Sequence, residues 1–196
     1  MSRGADLRYT RTEDALMIAI TKLLSEKPID QITVEEIAEM SQINRVTFYK
    51  HYYDKYALAA VHEKGIYLSE LEQNAPLEPD FKTGLVKLIH TAQSIMARIS
   101  GIKTTNPFYQ YACKGKLRNA IFETLGKYIT ANGESSVTLN QSMMSASIAF
   151  DAAQIMAEHN LGPDSQFASQ AADAIIRGLK TGQWLVYCGE SPICSQ

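Results

Sequence analysis

The chain has 196 residues, of which 45% are hydrophobic and 20% are charged, an ordinary composition for a water-soluble globular protein. Its formal net charge is -2, so overall charge does not argue for a nucleic-acid partner, and any positive potential for DNA must be local. The sequence has no apolar run of about 18 residues that could cross a membrane, and the polar residues 1–11 lack the apolar segment of a signal peptide.

The three cysteines, Cys113, Cys188 and Cys194, do not have the spacing of metal ligands. Together with the missing signal peptide, they fit reduced thiols in the cytoplasm. A redox pair of Cys188 and Cys194 is the alternative to unpaired thiols. We expect no metal and no cofactor, and we expect no enzyme, because phosphate-binding, dinucleotide-binding, zinc-protease and serine-hydrolase motifs are missing.

Apolar residues recur with helical spacing along nearly the whole chain, which predicts an all-α fold. The first helix is predicted to start at a capping box, Thr10–Glu13, and to end before Pro28, because the residue before a proline disfavours helical geometry. A second capping box, Thr33–Glu36, opens a short helix. After the turn at residues 41–43, Asn44 can cap a third helix that runs from Arg45 to about Tyr52.

Five further caps predict the remaining helices. Asp54 opens a long fourth helix that ends before Asn74–Pro79. Beyond that break, helices are predicted from Asp80 to about Ile99, from Asn106 to about Thr130, from Ser136 to about His159 and from Asp164 to about Val186. We therefore expect a DNA-binding domain at residues 1–56 and a larger helical domain at residues 57–196.

The second and third helices have the pattern of a helix-turn-helix. Their apolar residues can share one small core: Ile37, Ala38, Ile43, Phe48 and Tyr52. The opposite face of the third helix carries cations, a hydroxyl and a phenol, which suit base edges and phosphates in a major groove. The local charge around this helix is also positive. The alternative is a solvated basic face on an ordinary helical protein.

Residues 33–58, TVEEIAEMSQINRVTFYKHYYDKYAL, resemble the DNA-binding signature of TetR/AcrR-type transcriptional regulators. The similarity extends over about residues 8–60, because the first helix fits as well. One departure lies in the turn, where the family usually has glycine and this chain has Gln42. A side chain at that position requires either a positive backbone φ or a different turn.

The resemblance implies a role for each matching residue. Thr33 resembles a helix-capping threonine that touches a phosphate, Asn44 caps the recognition helix, and Arg45, Val46 and Thr47 approach bases. Tyr49 and His51 resemble phosphate contacts, and Lys50 belongs to the same face. Lys55 starts the fourth helix, where its amine and the helix N-terminus can meet one phosphate. The alternatives are a packed surface phenol for Tyr49 and a solvated lysine for Lys55.

The family also implies a homodimer through the last two long helices, whose apolar residues exceed what one inward face needs, and a palindromic double-stranded DNA operator. Most members repress promoters by occupying them. An organic effector is expected between the middle helices, and its candidate contacts are Tyr67, His90, Met96, Phe108, Tyr111, Phe122 and Tyr128. The alternative for each of them is core packing. A further alternative keeps the fold and replaces the small effector with a protein partner.

Overall fold

The computed structural model describes residues 3–132 and 137–184, with their side chains from Tyr9 onward. Over these residues the chain is helical and contains no strand, which confirms the predicted all-α architecture. The elements are α1 (Arg3–Glu26), a 3₁₀ turn (Ile29–Gln31), α2 (Val34–Met40), α3 (Arg45–His51), α4 (Lys55–Asn74), α5 (Phe81–Ser100), α6 (Pro107–Ala131), α7 (Leu139–Glu158) and α8 (Phe167–Thr181).

The chain divides into two compact units. Unit 1 consists of Met1–Ile66 and Ile99–Lys116, and unit 2 consists of Tyr67–Arg98 and Leu117–Gln196. Unit 1 therefore contains α1 to α3, the first part of α4, the loop between α5 and α6 and the first part of α6. Within the described ranges, every helix is too short or too polar to cross a bilayer.

Most of the predicted helix caps are present. Thr33 and Glu36 form a reciprocal capping box at α2, and the Thr47 amide donates to Oδ1 of Asn44 at 2.7 Å. Asp54, Asp80 and Asn106 accept amide hydrogen bonds at the starts of α4, α5 and α6. Hydrogen bonds from Lys27 and from the Thr33 amide lower the pKa of Glu36 to about 2, so this capping carboxylate stays ionised at neutral pH.

The predicted cap of α1 is wrong. This helix begins at Arg3, so Thr10 and Glu13 lie inside it and their amides already have helical partners. At α7 the capping residue is Thr138, which forms a capping box with Gln141, whereas the predicted Ser136 lies outside the described residues. The helix α8 begins at Phe167, later than the predicted Asp164, and Val186, Cys188 and Cys194 lie outside the described residues.

The turn between α2 and α3 is closed by Gln42, whose φ is 56°. The Ile43 amide donates to the Ala38 carbonyl at 2.9 Å, and the Gln42 amide donates to the Glu39 carbonyl at 3.1 Å. This pair of bonds is a Schellman motif, which places its closing residue in the left-handed region where glycine is favoured. The departure from glycine is therefore accommodated by a positive φ, and the geometry of the turn is kept.

We predict that Gln42→Gly stabilises the protein. A left-handed non-glycine residue costs roughly 1–2 kcal/mol, whereas glycine adds about 0.4–1 kcal/mol of chain entropy to the unfolded state. The difference is a gain of roughly 0.5–1 kcal/mol in the free energy of unfolding, measured by urea denaturation. The control is Glu39→Gly, which lies in α2 and should lose about 1 kcal/mol. A loss of stability in Gln42→Gly would contradict the strained turn.

Candidate nucleic-acid interface

The helix-turn-helix is built on a small apolar core in unit 1. Ile37, Ala38 and Phe48 are buried, and Leu16 and Ile20 of α1 are fully buried. Tyr52 is 9% exposed and belongs to the buried residues, which confirms that it is a core residue. Because these side chains occupy one face of α2 and α3, the other side chains of α3 face away from the core, apart from His51, which contacts α1.

The outward face of α3 carries most of the predicted DNA contacts. Val46 is 68% exposed and Tyr49 is 51% exposed. Asn44, Arg45 and Lys50 are exposed as well, Thr47 is half-buried, and Thr33 is exposed at the start of α2. The structure therefore brings a methyl-bearing side chain, a phenol and two cations together on one short helix. Such a surface can contact base edges and phosphates.

Arg45, the first residue of α3, is paired with an acid of α2. Its Nη1 lies 2.7 Å from Oε1 of Glu35, and both side chains are more than half exposed. Glu35 lies in the first turn of α2. An ion pair in this exposed setting contributes little to stability, because water screens it and both side chains lose freedom. The guanidinium is therefore held in a solvent-exposed position by a weak ion pair. A stronger acceptor, such as a phosphate or a base edge, can replace Glu35 as its partner.

Glu13 of α1 connects two consecutive residues at the end of α3. Its Oε1 lies 2.7 Å from Nδ1 of His51, and the Tyr52 hydroxyl donates to its Oε2 at 2.7 Å. The imidazole also stacks on Tyr9, with ring centroids 4.2 Å apart. Burial and the Glu13 hydrogen bond raise the pKa of Tyr52, so its phenol remains a donor. One carboxylate thus fixes the end of α3 to α1.

This arrangement gives His51 a packing role in addition to the phosphate contact predicted for it. Its side chain is only 6% exposed, and both the carboxylate and the Tyr9 ring occupy its surroundings. The phosphate contact of His51 stays a prediction. The sequence offered no signal for Glu13 or Tyr9, because the pairing joins residues 38 positions apart.

Lys55 also differs from its predicted environment. Its ammonium donates to the Asp30 carbonyl at 3.0 Å and to the Ile32 carbonyl at 2.6 Å, and it lies 5.1 Å from the centre of the Tyr56 ring. These bonds use two of the three N–H donors of the ammonium. One donor remains for a further acceptor, so the main contact of this side chain is with the loop that precedes α2.

The predicted effector residues do not share one environment. Tyr67, Met96 and Tyr128 are buried in unit 2. The Tyr128 hydroxyl lies against the Ala75 and Pro76 carbonyls, which satisfies its polar tip. His90 and Phe122 are half-buried. Phe108 and Tyr111 belong to unit 1 and are 75% and 76% exposed.

A groove on α7 and α8 has a volume of about 300 Å³. It contains none of the predicted effector residues. Its walls are apolar apart from Ser147 and Asp151, and most of them belong to the surface predicted to form a dimer. The lining residues are Met144, Ser147, Ile148, Asp151, Ala152, Ile155, Phe167, Ala171, Ala174 and Trp184.

Within residues 3–132 and 137–184, no three His, Cys, Asp or Glu side chains are grouped closely enough to hold a metal ion. Cys113 is buried and forms no disulfide.

An exposed polar α3, packed through α1 and α2 on a shared core, defines a helix-turn-helix domain of the DNA-binding class. Residues 16–61 match the family model described as bacterial regulatory proteins, tetR family. The match lies on the part of the chain that contains α2, the Gln42 turn and α3. Residues 16–61 therefore carry a helix-turn-helix segment of the kind found in that family.

Solved structures share the fold at low sequence identity. The TetR family repressor AlkX from Dietzia sp. strain DQ12-45-1b, implicated in biodegradation of n-alkanes, is 18% identical with a TM-score of 0.55, and the match covers 85% of this chain and 96% of that chain. RolR, solved without ligand, is 14% identical with a TM-score of 0.51, over 85% of this chain and 94% of that chain. Comparison with curated proteins gave no significant match. At these identities the structural likeness establishes the fold alone.

We predict that Glu13→Ala destabilises the protein by about 1–3 kcal/mol, because it leaves the buried polar groups of His51 and Tyr52 without their acceptor. The free energy of unfolding in urea provides the measurement. Asp14→Ala is the matched control, since Asp14 is the exposed neighbour on α1, and it should change stability by less than about 0.5 kcal/mol. Equal effects of both substitutions would show that Glu13 does not hold α3.

Proposed function

We propose that the protein is a dimeric transcriptional repressor that binds a palindromic DNA operator with α3 in the major groove. The observation that carries this proposal is the outward face of α3, where Arg45, Val46, Tyr49 and Lys50 are exposed above a packed core. Base contacts come from Asn44, Arg45, Val46 and Thr47 near the start of the helix, and phosphate contacts come from Thr33, Tyr49 and Lys50. Such an interaction with genomic DNA takes place in the cytoplasm.

Dimerisation is proposed through α7 and α8. The groove on these helices has mainly apolar walls, which suit burial against a second copy. Ala152 and Ala171, which lie among its walls, are small enough for helices of a second copy to approach closely. Two copies related by a two-fold axis would present two α3 helices to the two halves of a palindrome.

Repression follows from occupancy, since a dimer bound over a promoter excludes polymerase. We propose that a small organic effector bound in unit 2 relieves this occupancy by favouring a state with lower operator affinity. Thr124 on α6 supports a polar contact there, because its hydroxyl oxygen is buried without a hydrogen-bond partner, and such groups call for an explanation. Sequence analysis did not identify Thr124.

Control by a protein partner is the second candidate. The observation in its favour is the exposure of Phe108 and Tyr111, three residues apart on α6, because exposed aromatic side chains are typical of protein interfaces. Operator binding by the purified protein separates the two candidates. A small effector acts on the purified protein alone, whereas a protein partner must be added before operator affinity changes.

We predict that Arg45→Ala weakens specific operator binding by about 1–3 kcal/mol if the guanidinium contacts a guanine. Lys50→Ala should instead weaken binding to all sequences and lower the slope of log K against log salt by about one. Fluorescence anisotropy with operator and random duplexes at several salt concentrations measures the affinity of Arg45→Ala and the salt slope of Lys50→Ala.

The matched control for Lys50→Ala is Lys180→Ala, an exposed lysine of α8, which should keep the wild-type slope. If the wild-type protein shows no salt-sensitive affinity for any genomic duplex at low ionic strength, the proposed function is wrong. Equal slopes for wild type and Lys50→Ala would remove only the assignment of Lys50.

We predict that Ile148→Glu dissociates the dimer, because it places a charge in the apolar groove and burying that charge in an interface costs several kcal/mol. Sedimentation equilibrium measures the change in association. Leu77→Glu is the control, since Leu77 is 57% exposed in unit 2 and lies outside the groove. A dimer that resists Ile148→Glu would place the interface elsewhere.

A further inference from the structure

Asp30, in the 3₁₀ turn before α2, binds the loop between α5 and α6. Its Oδ1 accepts a hydrogen bond from the Thr104 hydroxyl at 2.9 Å, and its Oδ2 accepts one from the Thr105 amide at 2.6 Å. The Thr105 amide holds the pKa of this carboxyl below its usual value, with help from the Thr104 hydroxyl. Two segments separated by 74 residues are thereby joined through one carboxylate.

The same turn is tied to the first residues of α4. The Tyr56 hydroxyl donates to Oδ1 of Asp30 at 3.0 Å, and the Lys55 ammonium donates to the Asp30 carbonyl at 3.0 Å. Asp30 therefore binds α4 through its carboxylate and its backbone carbonyl. The same carboxylate also binds the loop between α5 and α6. Thr33, the cap of α2, follows only three residues later.

The beginning of α6 is packed into the same unit. Tyr109 is 3% exposed, and its ring centre lies 5.5 Å from that of Tyr56. Asn106 caps α6 through the Phe108 amide, and the Asn106 amide donates to the Thr104 hydroxyl oxygen at 3.1 Å. The loop is consequently ordered from both ends, by the cap of α6 and by Asp30.

We propose that Asp30 is a positioning residue for DNA binding, which makes the loop between α5 and α6 a structural part of the DNA-binding module. This inference rests on the proposed operator-binding function. The carboxylate of Asp30 touches no proposed DNA contact, and its backbone carbonyl touches only the Lys55 ammonium. Asp30 sets the relative placement of the turn before α2 and the start of α4, and these elements carry Thr33 and Lys55.

Because α6 continues from the loop, a shift of its first turn disturbs the Thr104 and Thr105 contacts with Asp30. Loss of these contacts leaves the module free to sample conformations that do not fit the operator. The apparent affinity then falls in proportion to the fraction of binding-competent molecules.

The test uses Thr104→Val in the full-length protein, since this residue lies outside the helix-turn-helix and the substitution keeps the side-chain volume. The substitution removes the bond to Asp30 and the acceptor of the Asn106 amide. We expect operator affinity to fall about three- to tenfold, the range for the net loss of about 0.5–1.5 kcal/mol. The salt slope should stay at the wild-type value, because no phosphate contact is removed. Thr104→Ser keeps the hydroxyl and should restore wild-type affinity.

Two further measurements separate positioning from general weakening of the fold. Thr91→Val also removes a hydroxyl bonded to a carbonyl, that of Lys87 within α5, and should leave operator affinity unchanged. In an Asp30→Ala background, Thr104→Val should have a smaller effect than in wild type, because the Asp30 acceptor is already gone and only the bond from the Asn106 amide remains to be lost. If Asp30→Ala does not fold, the comparison of Thr104→Val, Thr104→Ser and Thr91→Val decides the question.

The inference is overturned if wild type binds the operator and Thr104→Val binds equally well, or if Thr91→Val weakens binding as much as Thr104→Val does. The proposed function stands in either case. If wild-type protein binds no duplex, the proposed function is wrong, and the inference about Asp30 is wrong as well because it rests on that function. A changed salt slope in Thr104→Val would also contradict positioning, since it would indicate a direct phosphate contact.

Discussion

The helices α2 and α3 contain seven residues each, and helices this short are not stable alone in water. Their orientation therefore depends on tertiary contacts. Phe48 and Ile37 contribute apolar burial, which is strong but does not fix direction. The directional constraint comes from the Glu13 carboxylate, which joins the end of α3 to α1 through His51 and Tyr52. A recognition surface on so short a helix requires such a constraint, because base contacts tolerate only small displacements.

The parts of this structure that could be predicted from the sequence are those determined by neighbours in the chain. Caps at Thr33, Asn44 and Asp80 act over three residues, so their patterns are visible without a fold. The same logic failed at Glu13, where a local capping pattern coincides with a contact to residues far along the chain. Lys55 is similar, because its carbonyl partners on Asp30 and Ile32 lie more than twenty residues away. Long-range hydrogen bonds produce no periodic pattern in the sequence, so the partners of Glu13 and Lys55 could not be predicted from it.

The candidate effector residues show a second limit of sequence analysis. Aromatic type and helical position alone do not distinguish Tyr128, which is buried, from Tyr111, which is 76% exposed. Both lie on α6, and Tyr109, in the same unit as Tyr111, is 3% exposed, so the difference arises from the face of the helix on which each side chain lies. The apolar surplus on α7 and α8 was more informative, because a face that exceeds the needs of one core must be covered by something else. The groove containing Ile148 and Ala171 lies where that surplus was counted.

The ion pair between Arg45 and Glu35 allows the energetics of the proposed complex to be judged. An exposed pair contributes about 0–1 kcal/mol, whereas a bidentate arginine contact with guanine is worth about 1–3 kcal/mol. The contact of Arg45 with guanine is therefore favoured over its ion pair with Glu35 when the operator sequence is present. On other sequences Arg45 gains only a phosphate, and Glu35 remains beside the negatively charged backbone. In a chain of net charge -2, such an acid weakens non-specific binding, so affinity depends more on the bases that α3 contacts.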